Sequence, residues 1–160
     1  MLYRIPPDSI SMTPTLQPGD LLLTAFWRFW WHAPQRGEIV IVRRPDYPRR
    51  WRGVKRIIAL PGDTIAFTLT LVLLNGRPLI ESYLAGTPFY QTTAPVTLAA
   101  NQYYVLGDSR NCSQDSRVWQ PPGILRTHLR GPVTWFFRGG RWQRCPTCNF
   151  TPAPVCSPAT

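Results

Sequence analysis

Lysine, acidic residues and histidine are all scarce in this chain, and long apolar runs are missing. Of its 18 cationic side chains only Lys55 is a lysine, set against 8 acidic residues and 2 histidines. The formal charge of +10 suggests an anionic partner, either nucleic acid or a lipid surface. With hydrophobic residues at 44% and charged ones at 16%, a disordered charged tail is excluded as the whole story. No apolar stretch reaches the roughly eighteen residues of a spanning helix, and no signal peptide is expected within the sequence. The two histidines offer little to a Ser-His-Asp site. His32 lies among tryptophans, His128 has no acidic neighbour in sequence, and no nucleophile-elbow motif occurs.

What the chain has in abundance is punctuation. Eighteen prolines and eleven glycines in 160 residues disfavour long helices and favour short strands joined by turns in one domain. Apolar runs of strand length lie at residues 20 to 27, 37 to 43, 54 to 60, 64 to 74, 95 to 106 and 132 to 137. Asn75-Gly76 between two such runs signals a hairpin, because both central positions of a type I′ turn need positive φ. "LPGD" at 60 to 63 reads as a turn. The fold class is therefore all-β, with a main domain over 1–138 and a poorly packed, proline- and cysteine-containing tail over 139–160.

Three features leave alternatives open. "RRPDYPRRWRGVKR", residues 43 to 56, could track a phosphate backbone, but a solvated loop between strands is the favoured reading. The aromatic run Phe26, Trp27, Phe29, Trp30 and Trp31 suits either a membrane headgroup layer or a core strand. Cys145 and Cys148 have metal-ligand spacing with only His128 as a nearby further ligand. Together with Cys112 and Cys156, they read as a C-terminal disulfide or as free thiols, according to compartment. No metal site and no cofactor are expected.

The lone lysine bears on chemistry. Arginine stays protonated, whereas a buried ammonium can lose its proton and act as a base. Two polar stretches accompany it, "DSISMTPTLQPGD" at 8 to 20 and "GDSRNCSQDSRVW" at 107 to 119. The ordered set "SMTPTL", "RGEIVIV", "VKRIIALPGD" and "GDSRNCSQDSR" resembles the boxes of type I signal peptidases, the Ser-Lys proteases that cut leader sequences from exported proteins. The similarity runs from about Ile5 to Phe137.

That resemblance implies a signal peptidase/LexA-like catalytic fold of hairpins and coiled β-sheets. It makes Ser11 the nucleophile and Lys55 the general base. Ser9 would join the Ser11 N–H in an oxyanion hole, and Ser113 would orient the lysine amine. Asp108, Asp115 and Arg117 would support the site, with Met12 among the apolar residues around the amine. Leu16 and Val54 are the expected substrate-pocket residues. The implied substrates are signal peptides of preproteins, cut after an A-x-A site. The implied setting is a membrane lipid surface on the extracytoplasmic side, with an anchor upstream and no specific nucleic acid. The alternatives are a narrower Ser-Lys maturation protease, of organelle inner-membrane or conjugation-associated type, and a non-enzymatic basic module that binds nucleic acid or membrane.

Overall fold

A computed structural model of the chain describes residues 1–44 and 52–147. In chain order the elements are β1 (Leu2–Arg4), β2 (Leu21–Thr24), the one-turn helix α1 (Arg28–Trp31), β3 (Ile39–Arg43), β4 (Arg52–Ala59), β5 (Thr64–Phe67), β6 (Val72–Leu74), β7 (Arg77–Pro78), β8 (Val96–Thr97), β9 (Gln102–Leu106), β10 (Ile124–Leu125), β11 (Leu129–Arg138) and β12 (Arg141–Arg144). Two 3-10 turns, Arg110–Cys112 and Arg126–His128, complete the set. The larger sheet runs β1-β2-β11-β3-β4-β9-β10, with β12 also paired to β11, and the smaller runs β7-β6-β5-β8.

Strand β3 explains how a continuous apolar run builds the centre of this molecule. Ile39 and Ile41 enter one cluster with Ile5, Met12, Leu16, Leu22 and Val54, while Val40 and Val42 enter a second with Ile57, Val105 and Trp119. Side chains alternate across a strand, so "IVIV" is the pattern of a strand buried on both faces. A third cluster joins the sheets, with Ile58, Ala59, Tyr104 and Leu106 of the large one packing on Ile65, Phe67, Val72 and Leu98.

Asn75 and Gly76 have φ of 52° and 77° at the β6–β7 hairpin, as the Asn-Gly pair requires. Other runs are shorter than expected. The stretch 64 to 74 is two strands, because Thr68 N–H donates to Leu71 O and Leu71 N–H to Thr68 Oγ1, closing a tight turn. Residues 95 to 106 divide into β8 and β9 at a turn where Asn101 has φ 62°. The run 20 to 27 stops at Thr24. Beyond it the aromatics lie on a turn and on α1, with Phe29 buried and Phe26, Trp27, Trp30 and Trp31 exposed.

The basic stretch is not simply a solvated loop. Residues 45 to 51 lie outside the described residues, but Arg44 is buried over the Trp119 ring at 4.8 Å and Arg56 is fully buried. The segment after Arg138 also differs from a poorly packed tail. Strand β12 pairs with β11, Cys145 N–H donates to Thr134 O at 2.9 Å, and Cys145 is buried in the first cluster. The "CPTC" pair and Cys156 reach outside the described residues. Among those described, Cys112 is a free thiol and no group of His, Cys, Asp or Glu could hold a metal ion.

Candidate active site

Strand β4 carries Lys55 into the middle of the large sheet, where it is 2% exposed. Its neighbour β3 pairs with it along Arg52–Arg56, whereas β9 pairs only from Arg56 onward. Among the described residues one edge of Arg52–Lys55 is thus free of strand partners, and it faces a cleft of about 870 Å³. The opposite wall comes from the segment between β1 and β2, with Pro6, Ser9 and Ser11 in it.

Lys55 Nζ lies 2.9 Å from Ser11 Oγ, across 44 residues of sequence. Burial lowers the amine from its ordinary value to about 8, partly offset by the carboxylate of Asp115, then lowered again by Arg117 and raised by Asp108. Desolvation wins because the two acids are each committed to an arginine. Asp108 takes two hydrogen bonds from Arg56, at 2.9 and 2.6 Å, and Asp115 takes them from Arg117 at 2.8 and 2.9 Å. An amine that sheds its proton at about pH 8, beside a serine hydroxyl, is an arrangement that can activate the hydroxyl as a nucleophile in its deprotonated fraction, which grows as the pH rises.

The turn from Gly107 to Arg117 is built around this pair. Ser109 N–H donates to Ser11 O at 3.0 Å, and Gly107 N–H donates to Asp115 Oδ2 at 3.0 Å. Arg117 Nη2 also donates to the carbonyls of Arg110 and Ser113. Gly107 has no room for a side chain. A Cβ there would stand 2.2 Å from Ser113 Oγ and 2.5 Å from Ser11 O, so only glycine lets the two serines approach.

The expected residues are mostly assembled, with two differences. Ser9 and Ser11 share the cleft wall, and among the described residues the Ser11 N–H makes no hydrogen bond. Met12 is buried in the adjoining cluster. Ser113 Oγ is buried against Gly107 without a hydrogen-bond partner, Lys55 included. Leu16 and Val54, expected in the pocket wall, instead lie in the core cluster behind it. Alternation along β4 turns Val54 away from the face that Gly53 and Lys55 present to the cleft.

Sequence reasoning passed over Arg56, Thr15, Glu81, Tyr83 and Arg110. Arg56 donates to both oxygens of Asp108 and to Gly37 O, and it stacks on the Tyr83 ring at 4.1 Å. Thr15 Oγ1 donates to Asp108 Oδ2 at 2.6 Å, tying the serine segment to the 107–117 turn. Arg110 bonds Glu81, Tyr83 and Tyr90. The available signal was an arginine beside the lysine in a strand that is otherwise apolar. The histidines take no part. His32 is exposed after α1, and His128 is held below its usual range by partial burial and by Arg130, Arg43 and Arg44.

A family model described as "Signal peptidase, peptidase S26" matches residues 2–135. The chain belongs to the signal peptidase family. It is 36% identical over 157 residues to a probable signal peptidase I-1 of Synechocystis, a match taking 93% of this chain and 77% of that one. With the signal peptidase I of Leptolyngbya laminosa the identity is 37% over 117 residues, 69% of this chain and 57% of the relative. The crystal structure of a signal peptidase I from Enterococcus faecalis superposes with a TM-score of 0.54 at 27% identity, covering 64% of this chain and 98% of that one. The curled sheets described above are thus the signal peptidase fold, and the four sequence boxes all fall within the matched span.

Proposed function

We propose that this chain is a serine endopeptidase that removes N-terminal signal peptides from exported preproteins, with Ser11 as nucleophile and Lys55 as general base. The observation that carries the reading is the 2.9 Å contact between a buried lysine amine and a serine hydroxyl on the wall of an open cleft. In the first half-reaction the Ser11 hydroxyl proton passes to the neutral Nζ as Oγ attacks the scissile carbonyl. The carbonyl oxygen becomes an anion that accepts from the Ser11 N–H and the Ser9 hydroxyl. Collapse breaks the C–N bond, and the Lys55 ammonium returns its proton to the departing amine. Water then repeats the sequence on the acyl-serine and releases the leader. Asp108, Asp115 and Arg117 hold the 107–117 turn against Ser11; Ser113, whose buried Oγ makes no hydrogen bond in this structure, is the residue we assign to orient the amine when substrate is bound.

The free edge of Arg52–Lys55 supports an extended leader bound by backbone pairing, with Gly53 giving the peptide close approach. Small side chains at alternate positions, an A-x-A pattern, suit that mode. The exposed Phe26, Trp27, Trp30 and Trp31 support placement of the domain in the headgroup layer on the extracytoplasmic side. Among the described residues no helix is long and apolar enough to cross a membrane.

Incubation of detergent-solubilised protein with a preprotein, followed by mass spectrometry of the fragments, tests the activity. The expected product begins directly after the second Ala, and Ser11→Ala yields none. A folded protein that leaves the precursor whole contradicts the proposal. Flotation with phosphatidylglycerol vesicles checks the membrane placement. The wild type is expected to float and a Trp30→Ala/Trp31→Ala variant to remain at the bottom; equal flotation of the two removes the aromatic patch from the account.

A further inference from the structure

The cleft does not end at Ser11. Cys112 closes the 3-10 turn Arg110–Cys112 and forms part of the cleft wall; it also forms part of the wall of a second cavity of about 290 Å³. That cavity runs between Thr13 and Pro14, just past the Ser11 turn, and the segment Leu84 to Pro88.

The outer wall of this cavity is held in place. Phe89 N–H donates to Asn111 Oδ1 at 3.0 Å, and Leu84 N–H to Glu81 O at 3.2 Å. Arg110 bonds Glu81 and Tyr83, just ahead of that segment, while its Nε donates to Gly107 O at 3.0 Å. One arginine therefore fixes the loop to the same turn that carries Ser113. The ionic groups in the wall are already matched, Asp108 by Arg56 and Arg110 by Glu81. A charged guest would be desolvated there without a counterion, which is costly, whereas an uncharged one would not.

In the function proposed above, the leader half of the substrate lies along Arg52–Lys55 on one side of Ser11. The polypeptide that continues past the cut bond must leave on the other side, where this cavity opens. We propose that the cavity beyond Cys112 is the subsite for the first residues of the mature protein, and that it selects small or medium uncharged side chains there. The inference rests on the signal-peptidase reading and adds a second determinant of cleavage, on the product side of the bond.

The test uses two substrates with the same A-x-A leader half, one ending in a single residue amide after the cut site and one extended by four. With wild-type protein, extension by Ala or Leu residues is expected to raise kcat/KM about tenfold, since binding energy away from the reacting bond is used at the transition state. Extension with Glu or Lys is expected to raise it little. Ala85→Trp, at an exposed wall position outside the catalytic groups, is expected to remove the gain while leaving the short substrate's rate unchanged; Thr87→Trp provides an independent second block. A gain that persists in both variants, or an equal loss on short and long substrates, overturns the subsite. No cleavage of either substrate by the wild type overturns the signal-peptidase reading, and this one with it.

Discussion

Lys55→Met protein is expected to fold, to be more heat-stable than the wild type at pH 7, and to lose activity by about 10²- to 10⁴-fold in kcat/KM, the range typical of a missing general base. The loss follows from chemistry, because the thioether that replaces the amine cannot take the Ser11 proton. The gain in stability follows from the direction of the amine's shift. Folding lowers its pKa from 10.5 to about 8, so between those values the unfolded chain binds more protons and stability rises with pH. Below about 8 the penalty is present in full, about 3 kcal/mol at 1.36 kcal/mol per unit. Methionine fills a similar volume without that cost, less whatever the bond to Ser11 contributes. Lys55→Arg is expected to be equally inactive and less stable, since a guanidinium cannot shed its charge. Activity in either variant would count against Lys55 as the base, and a methionine variant that melts well below the wild type would count against a burial penalty on its charged form.

Removing one carboxylate should do more damage to the fold than any change in the cleft. Asp108→Ala is expected to lower the stability by about 3 to 5 kcal/mol, because it takes from a buried cation the carboxylate that receives two of its hydrogen bonds. Arg56 is fully enclosed, and its Nε and Nη2 both donate to Asp108. The carbonyls of Gly37 and Pro146 and the Tyr83 ring, which Arg56 also contacts, carry no formal charge to replace that of Asp108. For a domain of this length the thermal midpoint should fall by roughly 10 °C. Thr15 loses its acceptor in the same change, so the Ser11 segment loosens and residual activity should drop further than stability alone requires. The double variant Arg56→Met/Asp108→Ala is expected to recover much of the midpoint, since the cost lies in keeping the buried charge without the Asp108 carboxylate rather than in the lost pair. Two single variants whose losses simply add would contradict that account.

The all-β character of this chain was legible for reasons that can be named. "IVIV" in β3 is buried on both faces, and Asn75-Gly76 supplies the positive φ of its hairpin. The break within "TIAFTLTLVLL" was not legible. It is made by a threonine hydroxyl capping Leu71 N–H, and threonine is otherwise a strand former. The burial of Cys145 was hidden in the same way, because prolines and cysteines mark a loose end by composition while pairing with β11 is a matter of tertiary structure.

The site divides along a similar line. The single lysine and the four boxes pointed to Ser11 and Lys55, but no spacing rule brings together groups 44 residues apart. What does so is the register of β3 with β4 and the tether from Ser109 N–H to Ser11 O. Arg56 escaped notice because arginine is seldom fully buried, and its partners lie 19 and 52 residues away. Leu16 and Val54 were placed one layer too far forward: Val54, next to Lys55 on β4, faces the other side of the strand, and Leu16 turns into the same core cluster from the segment between β1 and β2.

The pH dependence of kcat/KM for the wild type, on a peptide containing one A-x-A site and measured between pH 5 and 10, tests the central claim most directly. An amine acting as base must be deprotonated, so the rate should be low in acid and rise through an apparent pKa of about 8. A rise centred near the ordinary histidine value, or a rate that is flat across the range, would mean that Lys55 is not the base and that the Ser-Lys mechanism does not hold for this protein.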